Sequence, residues 1–263
     1  MPEKIHMPTQ RVINILELLA MHPEGLTLTQ IANGINSPKS TVLPIVRTLR
    51  SNKYAFYNPQ SALYWVGVAA FSTGSAYISQ MNSLKFIRSE MKYIVQQCGE
   101  ICHLGIRDGN KAVFISIEES NAAIQLVSRV GKRMPLHCSA IGKSLICTMD
   151  IDEIRALHPK GLEAFTEKTI TRFDLLEKEL ESIRNNGYVS IEIGEMGPDL
   201  ACVSVPLFKY DSIIAAVSVS IPILRTTDDK LDQISVLLQE MQLKVKTYLE
   251  INNVDPESLA FFG

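Results

Sequence analysis

The chain has 263 residues, 46% of them apolar and 21% charged, with a net charge of −2, which suits one large domain or two modest ones with full apolar cores. Its apolar runs fall short of the roughly 18 residues that a membrane-spanning helix needs, and Met1-Pro2-Glu3-Lys4 leads into a helical pattern without the basic start and long apolar stretch of a signal peptide. The expectation is a cytoplasmic protein without membrane contact. The charge is uneven: residues 1–80 carry six Lys/Arg against three acids, net +3, and the remainder carries −5. A small basic head on an acidic body suits nucleic-acid binding through one end.

From Thr9 to Ala20, Val12, Ile13, Leu16, Leu19 and Ala20 recur at helical spacing, and Pro23-Glu24-Gly25 ends that helix. Thr27 reads as the N-cap of a short helix over 28–33 that turns Ile31 and Ala32 inward. Gly34-Ile35-Asn36 makes a tight turn. Ser37 as N-cap and Pro38 as first helical residue then open a third helix, with Val42, Ile45, Val46 and Leu49 apolar. A run over 54–57, a turn at Asn58-Pro59-Gln60-Ser61 and a run over 63–66 predict a hairpin.

Helix, short helix, turn, helix, hairpin is the order of a winged helix-turn-helix, which enters the major groove of duplex DNA with the start of its third helix. Lys39, Ser40 and Thr41, with Ser37 just ahead, are the candidates to meet base edges. Arg47 and Lys53 suit phosphates, as do Gln10 and Arg11 at the start of the first helix, and Thr27 completes the DNA-binding set. The alternative for Ser37, Ser40 and Thr41 is simple capping. Pro44, inside the third helix, removes a backbone hydrogen bond and is expected to bend the helix away from the Ser40 carbonyl.

A helix over 69–79 leads to the second half, and another runs over 84–98. Strands are predicted at 101–107, 112–118, 124–129, 188–192, 201–208 and 213–221, with Asp108-Gly109-Asn110 as a hairpin turn. Helices are predicted at 141–149, 151–158, 173–186 and 228–251. Hairpins mixed with helices indicate an α+β domain on a mainly antiparallel sheet. The domain boundaries follow as 1–67, a linker helix over 68–82, and 83–263. The five cysteines, Cys98, Cys102, Cys138, Cys147 and Cys202, are odd in number and lack C-x-x-C spacing, so they read as buried thiols. A metal on His103, His137, Cys98, Cys102 and Cys138 is disfavoured, because the strand neighbours Cys102-His103 and His137-Cys138 point to opposite faces. No nucleophile motif is present, so neither an enzyme nor a cofactor is expected.

Lys39-Ser40-Thr41-Val42, the wing, and Leu136-His137-Cys138-Ser139-Ala140-Ile141-Gly142-Lys143 form a pattern that continues through Asn186-Gly187-Tyr188, residues 200–206 and residues 215–220. In this pattern the chain resembles the IclR family of bacterial transcriptional regulators over nearly its whole length. Residues 128–133 and 222–225 lean towards the branch that senses sugar-acid breakdown products such as 2-keto-3-deoxygluconate. The resemblance implies a GAF-like effector domain that binds a small organic acid, and a homodimer or dimer of dimers on a palindromic or pseudo-palindromic operator. It implies a pocket lined by Leu126, Met134, Ala140, Ile141, Glu192, Leu200, Cys202, Ser218 and Ser220. Two departures stand out: Pro44 replaces a usually basic or polar residue, and the segment after Tyr188 is less acidic, keeping Glu192.

Physical logic stands beside the resemblance. Ser139 begins a helix whose free N–H groups and dipole suit a carboxylate, and the small Ala140 and Gly142 permit close approach. Ser218 and Ser220 share one strand face, Cys202 offers a small wall, and Glu192 either accepts from a ligand hydroxyl or repels larger anions. The bland alternatives are a simple N-cap at Ser139, solvent-facing Ser218 and Ser220, and core roles for Met134 and Leu126. The expected function is a DNA-binding regulator controlled by a small carboxylate effector. An enzyme of small acids with a vestigial DNA-binding head, or a ligand-independent architectural protein, are the alternatives.

Overall fold

Residues 5–79, 82–120 and 128–252 are described by a computed structural model, in which the chain divides between Gln80 and Met81 into two units. The first begins with α1 (Met7–Met21). Ile15 and Leu19, one turn apart, are its buried residues, whereas Ile13 is 44% exposed. After β1 (Leu26–Thr27) comes α2 (Leu28–Gly34), capped as expected. The Thr27 hydroxyl accepts the Gln30 N–H, and the Gln30 side chain accepts the Thr27 N–H, a reciprocal capping box.

The third helix, α3 (Lys39–Ser51), starts one residue later than expected. Pro38 is the N-cap, extended at ψ 145°, and the Ser37 hydroxyl turns back to the Ile35 carbonyl instead of capping. Pro44 lies within the continuous run of α3 and does not end the helix. One backbone hydrogen bond is lost, while burial of Val42, Val46 and Leu49 holds both halves against the same core. The Thr48 hydroxyl also donates to the Pro44 carbonyl at 3.0 Å.

The wing is β2 (Ala55–Asn58) and β3 (Leu63–Val66), with β1 added on the other edge of β3. At two residues, β1 is too short to show a period. The wing's Trp65 is the only tryptophan of the chain. Its indole N–H donates to the Pro23 carbonyl at 3.1 Å, and its ring lies on Gly25, where a Cβ would sit 2.5 Å from the ring. The last helix of this unit is α4 (Val68–Ser79), joined to it by Tyr54 Oη and Thr73 Oγ1 at 2.8 Å and by the Ala69 N–H on the Lys53 carbonyl.

The second unit runs α5 (Asn82–Cys98), β4 (Ile101–Asp108), β5 (Lys111–Glu118), β6 (Arg133–Pro135), α6 (Ala140–Ile146), α7 (Ile151–Leu157), α8 (Phe173–Asn185), β7 (Ser190–Ile193), β8 (Leu200–Lys209), β9 (Ser212–Pro222), a 3-10 turn and α9 (Asp228–Ile251). The six strands form one sheet in the order β6-β5-β4-β9-β8-β7, with every neighbouring pair antiparallel. This is the expected α+β, GAF-like domain. β6 was not foreseen, being three residues long. β7 starts two residues late because Gly187 and Tyr188 both take left-handed φ values, 63° and 65°. Leu126 and most of the expected strand at 124–129 lie outside the described residues.

Strand parity divides this sheet chemically. Val217, Val219 and Ile221 of β9 are fully buried with Val203, Val205 and Ala201 of β8 on a face that packs on α5 and α9. The opposite face meets α6. There Gly142 has no room for a side chain: a Cβ would stand 2.5 Å from the Leu136 backbone and the Pro135 carbonyl. Its smallness therefore serves the seating of α6. Gly142→Ala is expected to lower stability by about 1–3 kcal/mol through overpacking, measured by urea denaturation.

Candidate functional site

The exposed side chains of α3 form one stripe. Ser40, Pro44 and Arg47 follow at spacings of four and three residues and all are exposed, as is Lys39, while Thr41 is half-buried beside them. Lys53, just past the helix, is exposed with φ 62°. Arg50 adds a further exposed cation that the sequence reading passed over. Its guanidinium lies 5.3 Å from the centre of the Tyr57 ring, so helix and wing hold it together. An arginine one turn beyond Arg47 was the signal available. Other expected contacts are already engaged: Thr27 in its capping box, Ser37 with Ile35, and Gln10, whose amide donates to Asn14 Oδ1 at 2.8 Å. Gln10 and Arg11 are half-buried.

In the second unit the expected residues converge. Met134, Ser139, Ala140, Ile141, Glu192, Leu200, Cys202, Ser218 and Ser220 all line one cavity of about 100 Å³, and Gly142 does not. Sheet register explains the gathering. Ser218 pairs with His103 and Ser204, and Ser220 pairs with Ile101 and Cys202, which in turn pairs with Glu192. Partners in register share a face, so β4, β9, β8 and β7 deliver one polar row each way. His103, Phe114, Ser128, Lys132 and Met196 also line the cavity and were missed. For His103 the signal was its parity with Ser218.

Ser139 is the N-cap of α6: its Oγ accepts the Gly142 N–H at 3.1 Å and donates to the Pro135 carbonyl at 2.5 Å. Its hydroxyl is therefore spent, and the N–H groups of Ala140 and Ile141 remain those without an intrahelical acceptor. Glu192 is 1% exposed. Its Oε1 accepts the N–H groups of Glu195 and Met196, and Oε2 has no hydrogen-bond partner among the described residues. Burial raises the Glu192 pKa, opposed by those two N–H groups. Burial also pushes the Cys202 thiol up to about 12, and its Sγ lies 3.3 Å from Ser220 Oγ. His103 is driven down to about 4 by burial and then by the Lys132 charge, with the Ser218 backbone opposing. The polar part of the lining is thus hydroxyls, a thiol, an imidazole, the Glu192 carboxyl and one lysine, Lys132.

The Glu192 turn is held from behind. Lys143 of α6, fully buried, pairs with Glu195 at 2.5 Å and Glu179 at 3.1 Å. Thr166 and Thr169 hydroxyls donate to the Glu195 carbonyl. The remaining residues weighed as metal ligands disperse: the His137 ring bonds the Glu163 carbonyl, and Cys102 lies on the sheet face opposite His103. Among the described residues, no group of three or more His, Cys, Asp or Glu is placed to hold a metal ion, and no helix is long and apolar enough to cross a membrane.

Comparison with known proteins adds an independent line. The family model described as bacterial transcriptional regulator IclR C-terminal matches residues 75–247, and the IclR helix-turn-helix domain matches residues 8–59. The transcriptional regulator BhcR of Paracoccus denitrificans is 34% identical over 227 residues, 86% of this chain and 81% of that protein. An IclR transcriptional regulator from Alicyclobacillus acidocaldarius superposes with a TM-score of 0.85 at 22% identity, covering 93% of this chain and 99% of that one. An IclR homologue from Microbacterium hydrocarbonoxydans, solved with 4-hydroxybenzoate, gives a TM-score of 0.78 at 20% identity over 93% and 99%.

The buried Lys143 pair gives this geometry a measurable energetic signature. Lys143→Met strands Glu195 and is expected to cost about 3–5 kcal/mol, as breaking a buried ion pair from one side does. The double variant Lys143→Met, Glu195→Leu is expected to recover most of that loss in a denaturation cycle.

Proposed function

Because the chain belongs to the IclR family of bacterial transcriptional regulators, we propose that it binds an operator through α3 and that a small organic acid in the cavity controls that binding. Support for the DNA contact is the exposed group of Lys39, Ser40, Arg47, Arg50 and Lys53 around one helix and its wing. Lys39, Ser40 and Thr41 meet base edges, and Arg47, Arg50 and Lys53 meet phosphates. Two copies on a palindromic or pseudo-palindromic operator would place one helix in each half-site. Lys39→Ala is expected to weaken operator preference. Arg47→Ala is expected to weaken binding to all sequences alike and to lower the salt slope of log K by about 0.9. Both are read by fluorescence anisotropy across a salt series.

The observation that carries the effector reading is the chemistry of the cavity. Of nine buried side-chain polar atoms without a hydrogen-bond partner among the described residues, four belong to its lining: both His103 ring nitrogens, Ser128 Oγ and Glu192 Oε2. Buried polar groups are normally paired, so their concentration here marks a surface made to receive a ligand. Lys132 and the first N–H groups of α6 suit a carboxylate. The homologue solved with 4-hydroxybenzoate has a carboxylic acid bound. A cavity that gathers these polar groups among apolar walls favours an effector-controlled regulator over an architectural one. Coupling requires that the acid bind the operator-competent and operator-incompetent states differently.

A thermal-shift screen against keto acids and sugar acids is expected to find ligands that raise Tm and shift operator affinity. Operator affinity that no acid moves would refute control by an acid. The raised pKa of Glu192 sets the pH dependence. Neutral Glu192 stands beside an anion without repulsion, and as pH rises through its pKa the new charge opposes the ligand. Acid affinity is therefore expected to fall with rising pH, and Glu192→Gln to flatten that fall in calorimetric titrations.

A further inference from the structure

His103 is 3% exposed and lines the cavity, yet neither ring nitrogen reaches hydrogen-bond geometry with a described residue; the Ser218 backbone lies near enough to raise its pKa somewhat but not to pair the ring. Leaving a buried polar group unpaired is destabilising, and an apolar side chain on the same strand face would avoid that cost. The ring is also fixed in orientation. It stacks on Phe114 with centroids 4.4 Å apart and planes 22° apart. That stack depends on a register shift between β4 and β5, in which Ile115 has no partner and Phe114 comes onto the His103 face. In register on the other side is Ser218, whose side chain lines the same cavity.

We infer that His103 is a ligand-contact residue that recognises a hydroxyl or carbonyl oxygen of the bound acid, separate from its carboxylate. The inference rests on reading the cavity as an effector site. A neutral imidazole offers one N–H donor and one lone pair. Both are matched by a hydroxyl, and the donor alone by a carbonyl. A carboxylate is better served by Lys132, the cation in the lining. Ring stacking leaves the imidazole few orientations, so the oxygen must arrive at a defined place. The cavity would thereby favour oxygen-substituted acids over their unsubstituted counterparts.

Matched acids test this on the full chain: acetate against glycolate and glyoxylate, and propionate against lactate and pyruvate. Binding is measured by calorimetry to the wild type, His103→Phe and His103→Gln, with Lys132→Met as a carboxylate control. The wild type is expected to favour the substituted member of a pair by about tenfold, the affinity equivalent of 1.4 kcal/mol. His103→Phe, which keeps a stacking ring, is expected to bind both members equally. His103→Gln is expected to keep part of the preference, and Lys132→Met to weaken every acid. With the wild type alone, the His103 ring ¹⁵N signals are expected to move on adding a substituted acid and to stay in place with its unsubstituted partner. A preference that survives in His103→Phe, or ring signals that ignore the substituted acids, would overturn the role of His103 while leaving the effector site standing. If no acid binds the wild type, the effector reading falls and this inference with it.

Discussion

The strand parity of the central hairpin, β8 against β9, is the constraint on which the second unit depends. Residues paired across antiparallel strands must share a face. Once Val203 meets Val219 and Cys202 meets Ser220, every other side chain on both strands is assigned. One face becomes aliphatic and is covered by α5 and α9. The other carries Cys202, Ser204, Ser218 and Ser220 under a roof formed by α6, and the same register extends to His103 on β4 and Glu192 on β7. A slip of one residue on β9 would turn serines into the aliphatic layer and valines into the cavity. Hydrophobic packing on one side thus fixes which side chains line the cavity on the other.

Much of this was legible in the sequence because it is periodic. Val217, Val219 and Ile221 alternate with Ser218 and Ser220, so the two faces could be read from β9 alone. The three helices of the head could be read from Val42, Val46 and Leu49 and from the Thr27 cap. What escaped was set by tertiary geometry. β1 and β6 are held in place by their neighbours and carry too few residues to show a pattern. His103 sits in a continuous buried run, Ile101 to Ile106, where alternation is hidden because both faces are covered. Phe114 reaches the cavity through a register shift, which no period reports. Ile15, rather than Ile13, fills the core of the head, on the face that α1 turns towards α2 and β3.

Two residues expected at the ligand site, Ser139 and Gly142, also serve the fold. Ser139 uses its hydroxyl on α6 and on Pro135, and Gly142 uses its missing side chain against Leu136. Both still shape the cavity, since they seat the helix that closes it. Glu192 lines the cavity while one of its oxygens fastens the turn to Glu195 and Met196; the other has no hydrogen-bond partner among the described residues. The Lys143 pair then anchors that turn to α6. The wall of the cavity and its support are joined by hydrogen bonds as well as by packing.

Trp65, alone of its kind in the chain, lies in the wing with its indole N–H on Pro23 and its ring on Gly25. Intrinsic indole emission therefore originates wholly in the first unit, whereas tyrosines occur in both. The protein carries a built-in optical label for its head: excitation at the red edge sees that unit alone, while circular dichroism sees the whole chain. Melting of the head can be followed in the presence of an intact body, with no extrinsic dye.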